Sequence, residues 1–140
     1  MSYKIITYSP KNPIPAHSFF ILSKGLNSGK PLLAPCANCF VVSAQNESTR
    51  EFLYWLLYSL WKGQAYYPFH TGSVIPFIRI HEFRKFVQER YEEARGKDAE
   101  HQKAIRALRS LEEKEKQYME NLALINDAKK TLLALYIRRQ

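Results

Sequence analysis

Cysteine is scarce: Cys36 and Cys39 are the only two in 140 residues. That is too few for a disulfide scaffold, so both thiols are expected reduced and the chain cytoplasmic. No apolar run approaches the ~20 residues that a membrane-spanning helix needs, and no membrane partner is expected. Residues 1–15 lack a basic stretch followed by an apolar core, so no secretory signal is expected. Acids are rare at the front, where Glu47 and Glu51 face seven lysines and arginines in the first 80 residues. Proline and glycine are rare at the back: after residue 80 there is no proline, and Gly96 is the only glycine.

What remains is ordinary for a globular chain: 46% hydrophobic, 24% charged, and a length that suits one domain. The net charge of +8 favours polyanionic partners: DNA, RNA or an acidic protein surface. The composition shift near residue 80 separates a compact mixed part from long helix. We therefore expect an α+β fold: a small mixed N-terminal domain over 1–86, then a long C-terminal coiled-coil helix over 87–140.

Within the first part, Tyr3–Tyr8, Phe19–Leu22 and Cys39–Ser43 are rich in β-branched and aromatic residues and read as strands. Ser9–Ala16, with three prolines, and Gly25–Pro35 read as loops. Ser48-Thr49-Arg50-Glu51 has the form of a capping box opening a helix that Gly63 ends. Gln64–Thr71 reads as an aromatic turn. Val74–Ile80, broken by Pro76, reads as an edge strand, and a short helix is expected from about His81. Among the many aromatics, the periodic ones are assigned to the core, and Tyr66, Tyr67 and Phe69 to a surface role.

The clearest periodicity lies in the last forty residues. Ala104, Leu111, Tyr118, Ile125 and Leu132 recur every seventh position, beside a second seam of Leu108, Leu122 and Tyr136 broken by Glu115 and Lys129. Sustained heptads predict a coiled-coil helix over Asp98–Arg138, about 60 Å long. Its seam, Leu108, Leu111, Tyr118, Leu122, Ile125 and Leu132, is the expected homodimer contact. Glu115 and Lys129 either pair across an antiparallel partner or set register.

No catalytic set is legible. Gly25-Leu26-Asn27-Ser28-Gly29-Lys30-Pro31 is not a nucleotide-hydrolysing phosphate loop: one residue is missing between the glycines, and Pro31 stands where a magnesium-binding hydroxyl belongs. Such a loop can still offer amides, Lys24 and Lys30 to a DNA phosphate. Cys36 and Cys39 have the spacing of half a zinc site; without a second pair, two small residues flanking a turn is the favoured reading over a metal completed by a distant histidine. No metal, cofactor, small-molecule substrate or enzymatic activity is expected.

Ile21-Leu22-Ser23-Lys24-Gly25 followed by Gly29-Lys30, then Phe40-Val41-Val42, the helix Ser48–Leu60, Gly72-Ser73, Pro76–Ile80 and His81-Glu82-Phe83-Arg84 follow one another as in the target-recognition domains of type I restriction–modification specificity subunits. The chain resembles that family across residues 19–138, with the long helix in the place of its spacer helix. It also resembles short uncharacterised bacterial proteins of the kind carried on mobile elements. The first resemblance implies a non-catalytic DNA-recognition module on a dimerising stalk, with Lys24, Lys30, Lys62 and Arg79 the expected phosphate contacts. The alternative is a protein-interaction or assembly adaptor of the same fold without DNA binding.

Overall fold

The computed structural model describes residues 2–71 and 75–138, apart from the side chains of Asp98 and Arg138. Among these residues the order is β1 (Tyr3–Thr7), β2 (Ser18–Leu22), β3 (Pro31–Leu32), β4 (Cys39–Ala44), α1 (Glu47–Lys62), a 3-10 turn (Tyr67–Phe69), α2 (Ile80–Arg95) and α3 (Asp98–Arg138). The fold is α+β with a long C-terminal helix. The chain divides into two units, one reaching to Asp98 and one from Ala99 onward. The first therefore extends past residue 86, because Val87 and Tyr91 of α2 are buried in its core.

The four strands form one antiparallel sheet in the order β1-β4-β2-β3. Its central strands explain the unbroken apolar runs of the sequence. Successive strand residues point to opposite faces, and here both faces are covered. Phe19, Ile21, Phe40 and Val42 meet the helices, whereas Phe20, Cys39 and Val41 form a smaller cluster on the other side. On the helical side, Leu53 and Leu57 of α1 and Phe83 and Val87 of α2 are almost wholly inaccessible. Truncating any of these leucines to alanine would cost about 2–5 kcal/mol.

Four local expectations are corrected. The cap of α1 is Asn46, not Ser48: its extended backbone lets Oδ1 accept from the Thr49 amide at 2.8 Å, and Glu47 already sits in the first turn. The loop 25–35 contains the short strand β3, held to β2 through Phe20–Leu32 and Ile21–Pro31. Of the expected strand 74–80, the described residues 75–80 form none: Phe77 makes isolated bridges to Lys24 and Thr71, and Ile80 already opens α2. Val74, and Gly72-Ser73 of the family resemblance, lie outside the described residues. Finally, α2 is not short; it runs sixteen residues, and Gly96 follows its end.

Two features close the first unit. β1 is an edge strand, and Arg84 Nε donates to its Ile5 carbonyl at 2.9 Å, covering one acceptor on the open side. Tyr3 donates its hydroxyl to Gln88 Oε1 at 2.9 Å and meets the Tyr91 ring edge-on, tying β1 to α2. α3 is a 41-residue helix, about 60 Å long. From Leu111 onward its seam is exposed, including Leu111, Tyr118, Leu122, Ile125 and Leu132; Leu108 is half-buried. No helix among the described residues is long and apolar enough to cross a membrane.

Candidate functional site

The site is built around the turn that follows β2. Gly25 and Gly29 both take positive φ, +95° and +98°, a region closed to most side chains. Gly29 is required twice over, because a Cβ there would overlap the ring of Tyr66. Between them Ser28, only 2% exposed, donates its hydroxyl to the Gly25 carbonyl at 2.8 Å and bonds His70 Nε2 at 2.9 Å. Backbone bonds from Gly25 N to Pro76 O and from Ile78 N to Ser23 O seat the same turn on the segment before α2. The turn is thereby locked to a later part of the chain at two points, His70 and the Pro76–Ile78 segment.

This locking places the basic residues. Lys30 leaves the turn and Lys62 ends α1, and the two Nζ atoms each lie 5.5 Å from the centroid of the Trp61 ring. Cations at that distance are drawn to the face of the indole. Lys24 is exposed and its backbone bridges Phe77; Arg79, also exposed, stands two residues further, directly before α2. So the structure joins Lys30 and Lys62 on one ring and sets Lys24 and Arg79 on the two paired segments beside the turn. Glu47 and Glu51 lie towards the other end of α1, about 16 Å or more along its axis from Lys62. Glu47 is engaged there by His17 at 3.2 Å and Arg50 at 3.1 Å.

Beside the lysines is a cleft of about 270 Å³, lined by residues including Asn27, Ser28, Trp61, Lys62, Gln64 and Tyr67. Gln64 holds a left-handed backbone, φ 60°, in the turn that leaves α1. Tyr67 is exposed at the rim, as a surface aromatic should be. Tyr66 is the correction: it is 2% exposed, packed on Phe83 and Phe86, and its hydroxyl has no hydrogen-bond partner among the described residues. Burial pushes its phenol well above the usual range. Phe69 is partly buried against the same core.

Helical spacing assigned Trp61 to the core, and it does pack there, half-buried; sequence reasoning missed its contact with the two lysines, and it missed Ser28 and His70. A serine between two glycines was the one available signal; nothing local points to a histidine 42 residues away. At the cysteine pair, Cys39 Sγ donates to the Cys36 carbonyl at 3.2 Å and Cys36 Sγ to the Asn38 carbonyl at 3.5 Å. Burial raises the Cys39 thiol above its ordinary pKa. Among the described residues no group of three or more His, Cys, Asp or Glu side chains is arranged to hold a metal ion.

The architecture is thus a mixed α+β unit followed by a single long helix, with a basic, aromatic turn on the surface of the first unit. The chain belongs to DUF6943, a family of unknown function whose model matches residues 5–135. Neither the curated proteins nor the solved structures include a significant match to it.

Proposed function

We propose that the chain is a non-catalytic DNA-binding module, resembling half of a restriction–modification specificity subunit, that pairs with a second copy through α3. The observation that carries the reading is the convergence of Lys30 and Lys62 on Trp61. It concentrates positive charge and an aromatic face at one place, beside Lys24 and Arg79 and away from the acids of α1. Phosphate contact needs donors and charge on a rigid support, and the buried Ser28 supplies that rigidity.

Duplex binding followed against salt tests it. Each phosphate contact releases condensed counterions, so log affinity falls linearly with log salt, by about 0.9 per contact. Replacing Lys30 and Lys62 together by Ala is expected to weaken binding to every duplex and flatten the slope by up to about two contacts' worth. An unchanged slope, or no binding by the parent near physiological salt, overturns the reading.

A second reading, the assembly adaptor, is favoured by one feature. The exposed apolar surface of α3 is wider than its heptad seam and includes Met119, Leu124, Leu133 and Leu135. It predicts capture of a helical protein partner with no response to duplex.

A further inference from the structure

The seam of α3 carries two exposed charges, Glu115 and Lys129, where a dry coiled-coil interface would hold apolar side chains. In heptad terms Leu108, Glu115, Leu122, Lys129 and Tyr136 take one core position, and Leu111, Tyr118, Ile125 and Leu132 take the other. These two charges discriminate between ways of pairing two copies.

In a parallel, in-register pair the same core positions face each other. Glu115 then meets the partner's Glu115, and Lys129 meets the partner's Lys129. Both layers would bury like charges, an arrangement that costs rather than stabilises. Sliding one helix by two heptads would bring Glu115 to the partner's Lys129. It would also halve the overlap and leave a head-to-tail contact that does not close on itself.

An antiparallel pair removes the conflict. There each core position faces the other type, so one register stacks Leu122 on the partner's Ile125 and Leu111 on the partner's Tyr136. In that register Glu115 and the partner's Lys129 fall in neighbouring layers, about 4.5 Å apart along the axis. The twofold axis repeats the contact, so both acids and both lysines are matched. The exposed seam from Leu111 to Tyr136 is used over its whole length.

We propose that α3 is an antiparallel homodimerisation helix, centred between Leu122 and Ile125, whose orientation is selected by Glu115 reaching Lys129 of the partner subunit. This rests on the self-pairing proposed above and adds its direction and register.

Two measurements on the full chain test it. The first is disulfide formation in the Leu111→Cys/Tyr136→Cys variant, with the joined residues identified by peptide mass mapping so that the native cysteines can stay. Within one helix the two positions are about 38 Å apart, so a bridge between them must join two chains. The expected product links 111 to 136. Products linking 111 to 111 and 136 to 136 overturn the antiparallel proposal while leaving self-pairing intact.

The second is the dimer dissociation constant from sedimentation. E115K places four lysines about the centre of an antiparallel pair and should weaken it by about tenfold or more, and E115K/K129E should restore it. Equal dissociation constants for the parent and both variants would overturn the proposal. A parent that stays monomeric at every soluble concentration overturns the self-pairing itself.

Discussion

Ser28 Oγ lies 2.9 Å from His70 Nε2 and 2.8 Å from the Gly25 carbonyl. A hydroxyl has one proton, and here it goes to the carbonyl, so the imidazole must donate and Nε2 must carry hydrogen. The pair holds the turn after β2 against the 3-10 turn that follows α1. Replacing Ser28 by Ala leaves the half-buried His70 donor unpaired and is expected to cost about 1–3 kcal/mol in urea unfolding. A nitrogen-15 NMR spectrum of the neutral protein should show His70 protonated at Nε2; protonation at Nδ1 alone would contradict this network.

The two glycines of the turn should respond differently to alanine. At Gly25 an added Cβ meets nothing within 4 Å, so only the positive φ resists it, at about 1–2 kcal/mol. At Gly29 the same strain is joined by overlap with the Tyr66 ring, and the loss should exceed that at Gly25 by about 1–3 kcal/mol. Equal losses in denaturant melts would mean that the ring yields without cost.

Tyr66 buries a hydroxyl that bonds nothing among the described residues. Tyr66→Phe keeps the packing on Phe83 and Phe86 and removes the desolvated oxygen, so stability should rise by about 1 kcal/mol. A fall of that size would show that the hydroxyl has a partner after all.

Alkaline pH should unfold the first unit through its buried phenols. Burial, and then the neighbouring Tyr91 and Glu92, push Tyr3 up to about 12 from its ordinary value of 10.0. Its folded pKa exceeds the unfolded one, so the native state retains the proton longer. The contribution is complete below pH 10 and is lost as pH rises through about 12. Tyr66 acts in the same direction. Stability followed by circular dichroism should decline above pH 10, and less steeply in Tyr3→Phe; identical profiles would remove Tyr3 from the account.

For α3, Leu111→Asp/Ile125→Asp should abolish self-association, because both positions are exposed in the single chain and would become buried, unpaired charges in a pair. Light scattering reads the result directly, and helicity of the first unit should persist. A variant that remains dimeric would move the contact off this seam.

Some of this was legible beforehand because it is local. Alternating and unbroken apolar runs mark strands whatever surrounds them, and β1, β2 and β4 lie where Tyr3–Tyr8, Phe19–Leu22 and Cys39–Ser43 implied. The heptads and the lack of proline and glycine bounded α3 at Asp98–Arg138. Two of the errors share a cause, which is competition between neighbours. Asn46 outcompeted Ser48 for the cap of α1, and two residues of the loop, Pro31 and Leu32, became a strand because β2 offered a free edge.

Composition and periodicity by themselves therefore determined the class of fold, the long helix and the basic character of the front half, since these depend on spacing and charge along one chain. Only the tertiary structure decided that Tyr66 is core while Tyr67 is surface, that Trp61 collects Lys30 and Lys62, and that Ser28 is held by His70. Each depends on which distant segments fill the space around the turn after β2, and that is settled by packing and hydrogen-bond satisfaction across the whole unit.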